Sequence, residues 1–375
     1  MAPAEPEPEL SLRPLAFDRL EGWSADDPSE ALFAFRRSCV KLRASGSGPM
    51  GPDPAFGAIA DWLAVCTAAD EQARAASAAA VRRFFETWFQ PYEVFDRDDP
   101  EGLFTGYYEP VLHGSRRSGP RYPVPLHAPP ADLLRIDLGR FNPELAGYAI
   151  YGRIGNGEFL PYYSRAEIER GVLAGRNLEL LWVDDPIAKF FLQIQGSGQV
   201  RLDDGSVVRV GYASQNGHPY RAIGRDLIEI GALTRNEVSL QTIRAWLHAH
   251  PDDAPVIMAR NRSYIFFREH PELAAEDGPL GAQGVPLIAG RSLAVDRRYV
   301  PLGVPVWLDT TAPGPAGATP LRRLMIAQDT GGAIKGVVRG DVFWGAGEPA
   351  EAVAGRMRSP GRYAVLLPRA LIPTS

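Results

Sequence analysis

The stretch Leu324-Met325-Ile326-Ala327-Gln328-Asp329-Thr330-Gly331-Gly332-Ala333-Ile334-Lys335-Gly336-Val337-Val338-Arg339-Gly340-Asp341-Val342-Phe343-Trp344 holds two aspartates, each bordering a short apolar run. Residues 324–327 are apolar and lead into a glycine turn, which reads as a buried strand with Asp329 at its end. A second apolar run carries Asp341 and closes on the aromatic pair Phe343-Trp344. Two acids on β-structure beside a flat indole suit cleavage of a sugar acetal, which needs a proton donor and an apolar wall. Asp341 sits between Gly340 and three bulky apolar residues, so its carboxyl is expected to be partly desolvated and its pKa raised. Asp296, at the end of Leu293-Ala294-Val295, is a third acid expected to converge on that pocket, and Lys335 lies between the other two.

Working outward, the last ninety residues predict short strands at 292–295, 304–308, 324–328 and 363–367, with one helix at about 350–358. Pro- and Gly-rich turns separate them, notably 312–317, and the pattern is that of a small closed barrel. In the middle of the chain, 190–195 reads as a strand stopping at Gly196-Ser197-Gly198, and Asp203-Asp204-Gly205 as a hairpin turn. Helices are predicted at 222–230 and 238–248, the second with Thr234 three residues before Glu237 at its start. A short helix is predicted after Ser164, which has capping-box spacing to Glu167. The first hundred residues read as three helices, 27–42, 56–68 and 71–89, the last with Val81, Phe84, Phe85 and Trp88 on one core-facing side.

At 375 residues the chain exceeds one typical domain, and its net charge of −5 argues against nucleic acid as a partner. No apolar run approaches the ~18 residues of a membrane span. Residues 1–9 form a Pro/Glu spacer with no signal-peptide character. The two cysteines, Cys39 and Cys66, each lie on the apolar stripe of a predicted helix. They read either as two buried thiols or as a disulfide pinning those helices in an oxidising compartment. The six histidines are dispersed without metal-ligand spacing, so neither a metal nor a cofactor is expected.

Several other motifs compete with these acids as functional signals. Asp329-Thr330-Gly331 spells the aspartic-protease triplet, but such enzymes pair two copies and this chain has one. Gln195-Gly196-Ser197-Gly198 resembles a phosphate loop without its lysine or following helix, and suits instead a flat ligand approaching the backbone. With Thr105, Gly106, Tyr107, Tyr108, Tyr212, Asn216 and Tyr220 it makes a polar-aromatic set suited to sugars, since rings stack on C–H faces while amides bond hydroxyls. Lys335 and Trp344 complete the candidate substrate contacts.

In these residues the chain resembles the membrane-bound lytic murein transglycosylase A family. The matching pieces are Thr105-Gly106-Tyr107-Tyr108-Glu109-Pro110, Gln195-Gly196-Ser197-Gly198, Tyr212-Ala213, Asn216-Gly217-His218, Tyr220-Arg221, Ile223-Gly224, Arg291-Ser292 and the run from Asp329 to Asp341. The resemblance implies a mainly β fold with α (α+β): a discontinuous double-psi β-barrel from residues 1–110 and 255–375, with N-terminal helices. A three-aspartate ("3D") domain would span about 285–370, and a β-rich substrate-groove domain would be inserted at 111–254. The implied activity is non-hydrolytic cleavage of the β-1,4 bond between N-acetylmuramic acid and N-acetylglucosamine in peptidoglycan, leaving a 1,6-anhydro end. By motif position Asp341 is then the catalytic acid and base, with Asp329 and Asp296 supporting. The implied setting is the periplasm, as an outer-membrane lipoprotein in a full precursor, acting as a monomer on glycan strands or within a cell-wall synthesis or hydrolysis complex. The competing expectations are a non-catalytic, expansin-like peptidoglycan-binding module, an aspartic protease, and a hydrolase using Asp329 and Asp341 as a pair.

Overall fold

A computed structural model describes residues 7–72, 77–145, 148–274, 276–315 and 317–371. The chain divides into two compact units, residues 1–108 with 275–375 and residues 109–274.

The first unit is built on an eight-stranded sheet in the order Leu10–Pro14, Phe89–Asp96, Arg358–Pro368, Pro305–Gly314, Gly317–Asp329, Ser292–Val295, Arg339–Ala346, Gly102–Glu109. Arg358–Pro368 also pairs with Gly102–Glu109, so six of these strands close into a ring. Closure leaves no free edge among those six. Ser292–Val295 is buried at every position and runs parallel to Gly317–Asp329 and antiparallel to Arg339–Ala346. The Pro- and Gly-rich stretch after Thr311 is narrower as a turn than its composition suggests, because the flanking strands pair as far as Gly314 and Gly317.

Three helices from the N-terminal part of the chain pack on this sheet. Ser29–Ala44 begins where the Asp27 carboxylate accepts from the Ser29 backbone N–H (3.0 Å) and hydroxyl (2.6 Å). Cys39 and Cys66 are joined in a disulfide that ties this helix to Ile59–Gln72. The segment 71–89, expected as one helix, is divided: Gln72 ends the preceding helix and Ala78–Trp88 begins anew, with Ser77 Oγ accepting from Ala80 N. Residues 73–76 lie outside the described residues. Phe84 and Phe85 from that helix meet Phe35 and Phe89 in a buried aromatic cluster, with centroids 5.1–6.4 Å apart.

Two buried polar joints fix the helices against the strands that carry the aspartates. Arg291 makes a two-pronged ion pair with Asp26, both contacts 2.8 Å, and Asp26 also accepts from Leu324 N. Gln328 donates to Ala34 O (2.9 Å) and accepts from Ser292 Oγ (2.6 Å). Asp329 follows Gln328 directly, so its backbone position is set by the core.

The second unit holds a six-stranded sheet in the order Ile265–Glu269, Val207–Gln215, Ser197–Leu202, Val111–Ser115, Glu179–Val183, Val124–His127, and a three-stranded sheet of Leu134–Asp137, Ala149–Gly155 and Glu158–Pro161. It runs on past residue 254 because Ile265–Glu269 pairs with Val207–Gln215. The hairpin around Asp203-Asp204-Gly205 joins Ser197–Leu202 to Val207–Gln215, as its turn chemistry predicts.

Two expectations fail here. Residues 190–195 are not a strand but the end of a helix, Pro186–Gln195. Asp185 caps its start by accepting from Ile187 N at 2.7 Å, Pro186 occupies the first turn, and Gly196 ends it at φ +82°, all ordinary helix punctuation. The helix Leu240–Ala249 starts at Ser239, whose hydroxyl and Thr242 cap each other. Thr234 and Glu237 do bond to each other, but in the turn before it.

Candidate active site

Asp329 ends the strand Gly317–Asp329, and Asp341 lies within Arg339–Ala346. The intervening Ser292–Val295 strand registers Ala294 against both. Gly340 is glycine of necessity, because a Cβ there would meet Phe104 at 2.9 Å and Leu293 at 3.0 Å.

From the Gly102–Glu109 strand, alternation sends Thr105 and Tyr107 toward the two acids. Thr105 Oγ1 donates to Asp341 Oδ1 at 2.7 Å, and Tyr107 Oη donates to Asp329 Oδ2 at 2.9 Å. Asp329 Oδ1 accepts two more bonds, from Ala282 N (2.8 Å) and Thr330 N (2.9 Å). Asp341 Oδ2 has no hydrogen-bond partner among the described residues. Arg339 donates from Nη2 to Thr105 Oγ1 at 2.8 Å.

The electrostatics separate the two acids from the third. Desolvation pushes the Asp341 carboxyl up to about 6, aided by the charge of Asp329 and opposed by Thr105 and Arg339. Desolvation also raises Asp329, against the pull of its three donors. Burial acts on Asp296 in the same sense, but Arg298 (2.6 Å) and the Gly336 N–H (3.0 Å) outweigh it and hold that carboxyl below its ordinary value. Asp296 is therefore an anchored carboxylate; it grips the Lys335-Gly336 turn, where Gly336 has φ +123°.

Aromatic walls border the pair. The Tyr107 and Phe343 rings are 5.3 Å apart. Trp344 lies against the backbone of Gly106, where a Cβ would come within 2.7 Å of its Nε1. Its indole N–H is buried with no hydrogen-bond partner among the described residues. Lys335 is exposed on the turn between the strands.

The remaining candidates divide clearly. Tyr108 points away from the acids and is 1% exposed, so it serves the interior. Gln195, Gly196, Ser197, Gly198, Tyr212, Asn216 and Tyr220 all belong to the second unit. There Gly196 caps a helix and Gly198 packs against it, a Cβ at 198 lying 2.3 Å from Leu192 Cδ1. Gln195 is the last residue of that helix, and Ser197 opens the strand that follows, registered on Gly211. Asn216 is 1% exposed and clamps the backbone of Tyr163, Arg262 and Tyr264, each at 2.9 Å. Tyr212 and Tyr220 are about half exposed, at 45% and 46%. Arg339 was not singled out in the sequence, although its place two residues before Asp341 puts it on the same strand face.

Residues 103–268 match the family model of the MltA specific insert domain, and residues 291–367 match that of the 3D domain. A solved structure of a membrane-bound lytic murein transglycosylase from Agrobacterium tumefaciens is 35% identical and superposes with a TM-score of 0.83, covering 96% of this chain and 98% of that one. The chain belongs to the MltA family.

A Vibrio cholerae relative, membrane-bound lytic murein transglycosylase A, is 33% identical over 267 residues, 69% of this chain and 64% of the relative. The chain spans just under two thirds of the length of the curated MltA relatives it matches. The Escherichia coli MltA structure with bound chitohexaose is 26% identical with a TM-score of 0.68, covering 97% of this chain and 95% of that one. The mixed α/β architecture is thus that of MltA. Among the described residues no helix is long and apolar enough to cross a membrane.

Proposed function

We propose that this chain is a peptidoglycan lytic transglycosylase in which Asp341 is the only proton-transfer group. The observation that carries this reading is a carboxyl with pKa raised to about 6, one oxygen held by Thr105 and the other without a partner among the described residues. A general acid works best when its pKa lies near the working pH. Family membership and a glycan bound to a relative point to the same substrate class.

The chemistry needs one acid. Asp341 gives its proton to the glycosidic oxygen between N-acetylmuramic acid and N-acetylglucosamine, the C1–O4 bond breaks, and the N-acetylglucosamine leaves with a free 4-hydroxyl. Positive charge gathers on the muramyl C1 and ring oxygen. The sugar's own 6-hydroxyl then attacks C1, and the Asp341 carboxylate takes the proton from O6. The product is a 1,6-anhydro ring, and the acid is regenerated without water. A hydrolase would need a second carboxyl to attack or to activate water. Intramolecular attack replaces that group, because a tethered nucleophile gains a large effective concentration. Asp329, already holding three donors, supports by its charge and by fixing Tyr107.

The six-strand ring with its parallel pair is read as a double-psi barrel, discontinuous in sequence, with residues 109–274 as the inserted substrate-binding domain. Tyr212 and Tyr220, half exposed, are the sugar-facing rings of that domain. The Cys39–Cys66 disulfide and the names of the relatives favour a periplasmic, membrane-anchored setting. Purified sacculi should release anhydro-muropeptides on incubation with the protein, and Asp341→Ala should abolish release while the protein stays folded. Full activity of that variant would remove Asp341 from the mechanism. Binding to sacculi without soluble product would favour the expansin-like module.

A further inference from the structure

Arg339 leaves its strand on the same face as Asp341, two residues earlier. Its Nη1 donates to the carbonyls of Leu103 (3.2 Å) and Gly340, and its Nη2 to Thr105 Oγ1 at 2.8 Å. A guanidinium has donors only, so the Thr105 oxygen must accept at that contact. The single hydroxyl hydrogen is then left for Asp341 Oδ1, 2.7 Å away. Oδ1 thereby stays an acceptor whether Asp341 is charged or neutral, and a proton on this carboxyl must reside on Oδ2.

We propose that Arg339 is a positioning residue that acts through Thr105, confining the acid proton of Asp341 to Oδ2, the oxygen left open to the substrate. This rests on the reading of Asp341 as the proton donor. A proton on Oδ1 would face Thr105 and be useless to a leaving group, so the relay selects the productive half of the acid population. After transfer the Thr105 hydroxyl, by its hydrogen bond, and Arg339, by its charge, stabilise the carboxylate that must collect the proton from O6.

The charged and titratable groups facing Asp341 give the inference a signature. Arg339 comes from its own strand, Asp329 from Gly317–Asp329, and Tyr107 from Gly102–Glu109, while Ser292–Val295 presents only Ala294. Arg339 and Thr105 pull the Asp341 pKa down, so removing either raises it. The activity that is lost as pH rises through about 6 should then persist to higher pH.

The test is a set of pH profiles of kcat and KM on soluble glycan strands for Arg339→Met, Arg339→Lys, Thr105→Val and the Thr105→Val/Arg339→Met double variant, with Asp341→Asn as reference. Arg339→Met should lose about tenfold or more in kcat, within the range that positioned acid catalysis supplies, with KM changed less than about twofold and the high-pH limb moved upward. Arg339→Lys should return the limb toward its original pH while leaving kcat low, since a point charge lacks the fork. In the Thr105→Val background, Arg339→Met should cost less than about twofold, because the two act as one unit. Unchanged kcat and limb in Arg339→Met, or a loss that is additive with Thr105→Val or carried in KM, overturns the relay. If Asp341→Asn is dead while Arg339→Met behaves as the parent, only the relay fails; if Asp341→Asn is active, the proton-donor assignment itself falls. Should Arg339→Met melt below the assay temperature, Arg339→Lys and Thr105→Val decide alone: an unmoved limb in Thr105→Val, or full kcat in Arg339→Lys, overturns it.

Discussion

Asp329 and Asp341 stand level with each other on either side of one buried strand, both registered on Ala294. That placement explains how two acids of the same type take different parts. Asp329 is saturated by Tyr107, Ala282 and Thr330, whereas Asp341 has one oxygen held and one open among the described residues. The charge of the first raises the pKa of the second.

A pH profile of kcat/KM follows from this pairing. The reaction needs Asp341 protonated, so activity should fall as pH rises through about 6. Asp329→Asn removes a neighbouring negative charge, lowers the Asp341 pKa, and should move that limb to lower pH. Activity at neutral pH should drop several-fold with KM little changed. A limb that stays in place, measured under matched salt, would separate Asp329 from the titration.

Stability should move in the opposite direction at the acid itself. The folded pKa of Asp341 is raised, so the neutral form's stabilisation is complete below the unfolded value near 3.8 and lost as pH rises through about 6. Asp341→Asn keeps an oxygen for Thr105 and never ionises. It should therefore raise stability by about 1–3 kcal/mol above pH 7, discounted for partial solvent access, and by little below pH 4. Denaturant melts at pH 4 and pH 8 measure this, and an equal shift at both would contradict it.

Gly106→Ala should disturb the aromatic wall. The added Cβ would meet Trp344 Nε1 at 2.7 Å and Ala354 Cα, at the end of the helix Gly347–Ala354, at 2.9 Å, so the indole or that helix must move. A cost of about 1–3 kcal/mol in stability is expected, as for other overpacked sites. If Trp344 forms the wall that sugars pack on, KM for glycan should rise as well. An unchanged melting temperature and KM would mean that the contact is not tight.

The disulfide should matter for stability and not for chemistry. It closes a sequence separation of 27 residues, so replacing both Cys39 and Cys66 by Ala should cost about 3–4 kcal/mol. The pH limb set by Asp341 should not move, and a shifted limb would couple this helix pair to the site more closely than the contacts suggest.

The sequence made the acids legible because an apolar run ending in an aspartate and a glycine turn leaves few other readings. It misled at Phe190-Phe191-Leu192, where a short apolar run fits strand or helix equally well. Asp185-Pro186 before it and Gly196 after it were the helix signals. Tyr108 and Asn216 carried polar-aromatic chemistry in the sequence, but both are 1% exposed; side-chain burial depends on partners far along the chain. Arg339 was missed for the opposite reason. Its significance arises only when Gly102–Glu109, more than two hundred residues earlier, brings Thr105 within 2.8 Å.

The most direct measurement of the central claim is product analysis by mass after digesting sacculi in water enriched in oxygen-18. A reaction in which the 6-hydroxyl is the nucleophile leaves muramyl ends one water lighter than hydrolysis products and free of the heavy isotope. Muramyl reducing ends that carry the label would mean that water attacks C1, and the single-acid account centred on Asp341 would be wrong.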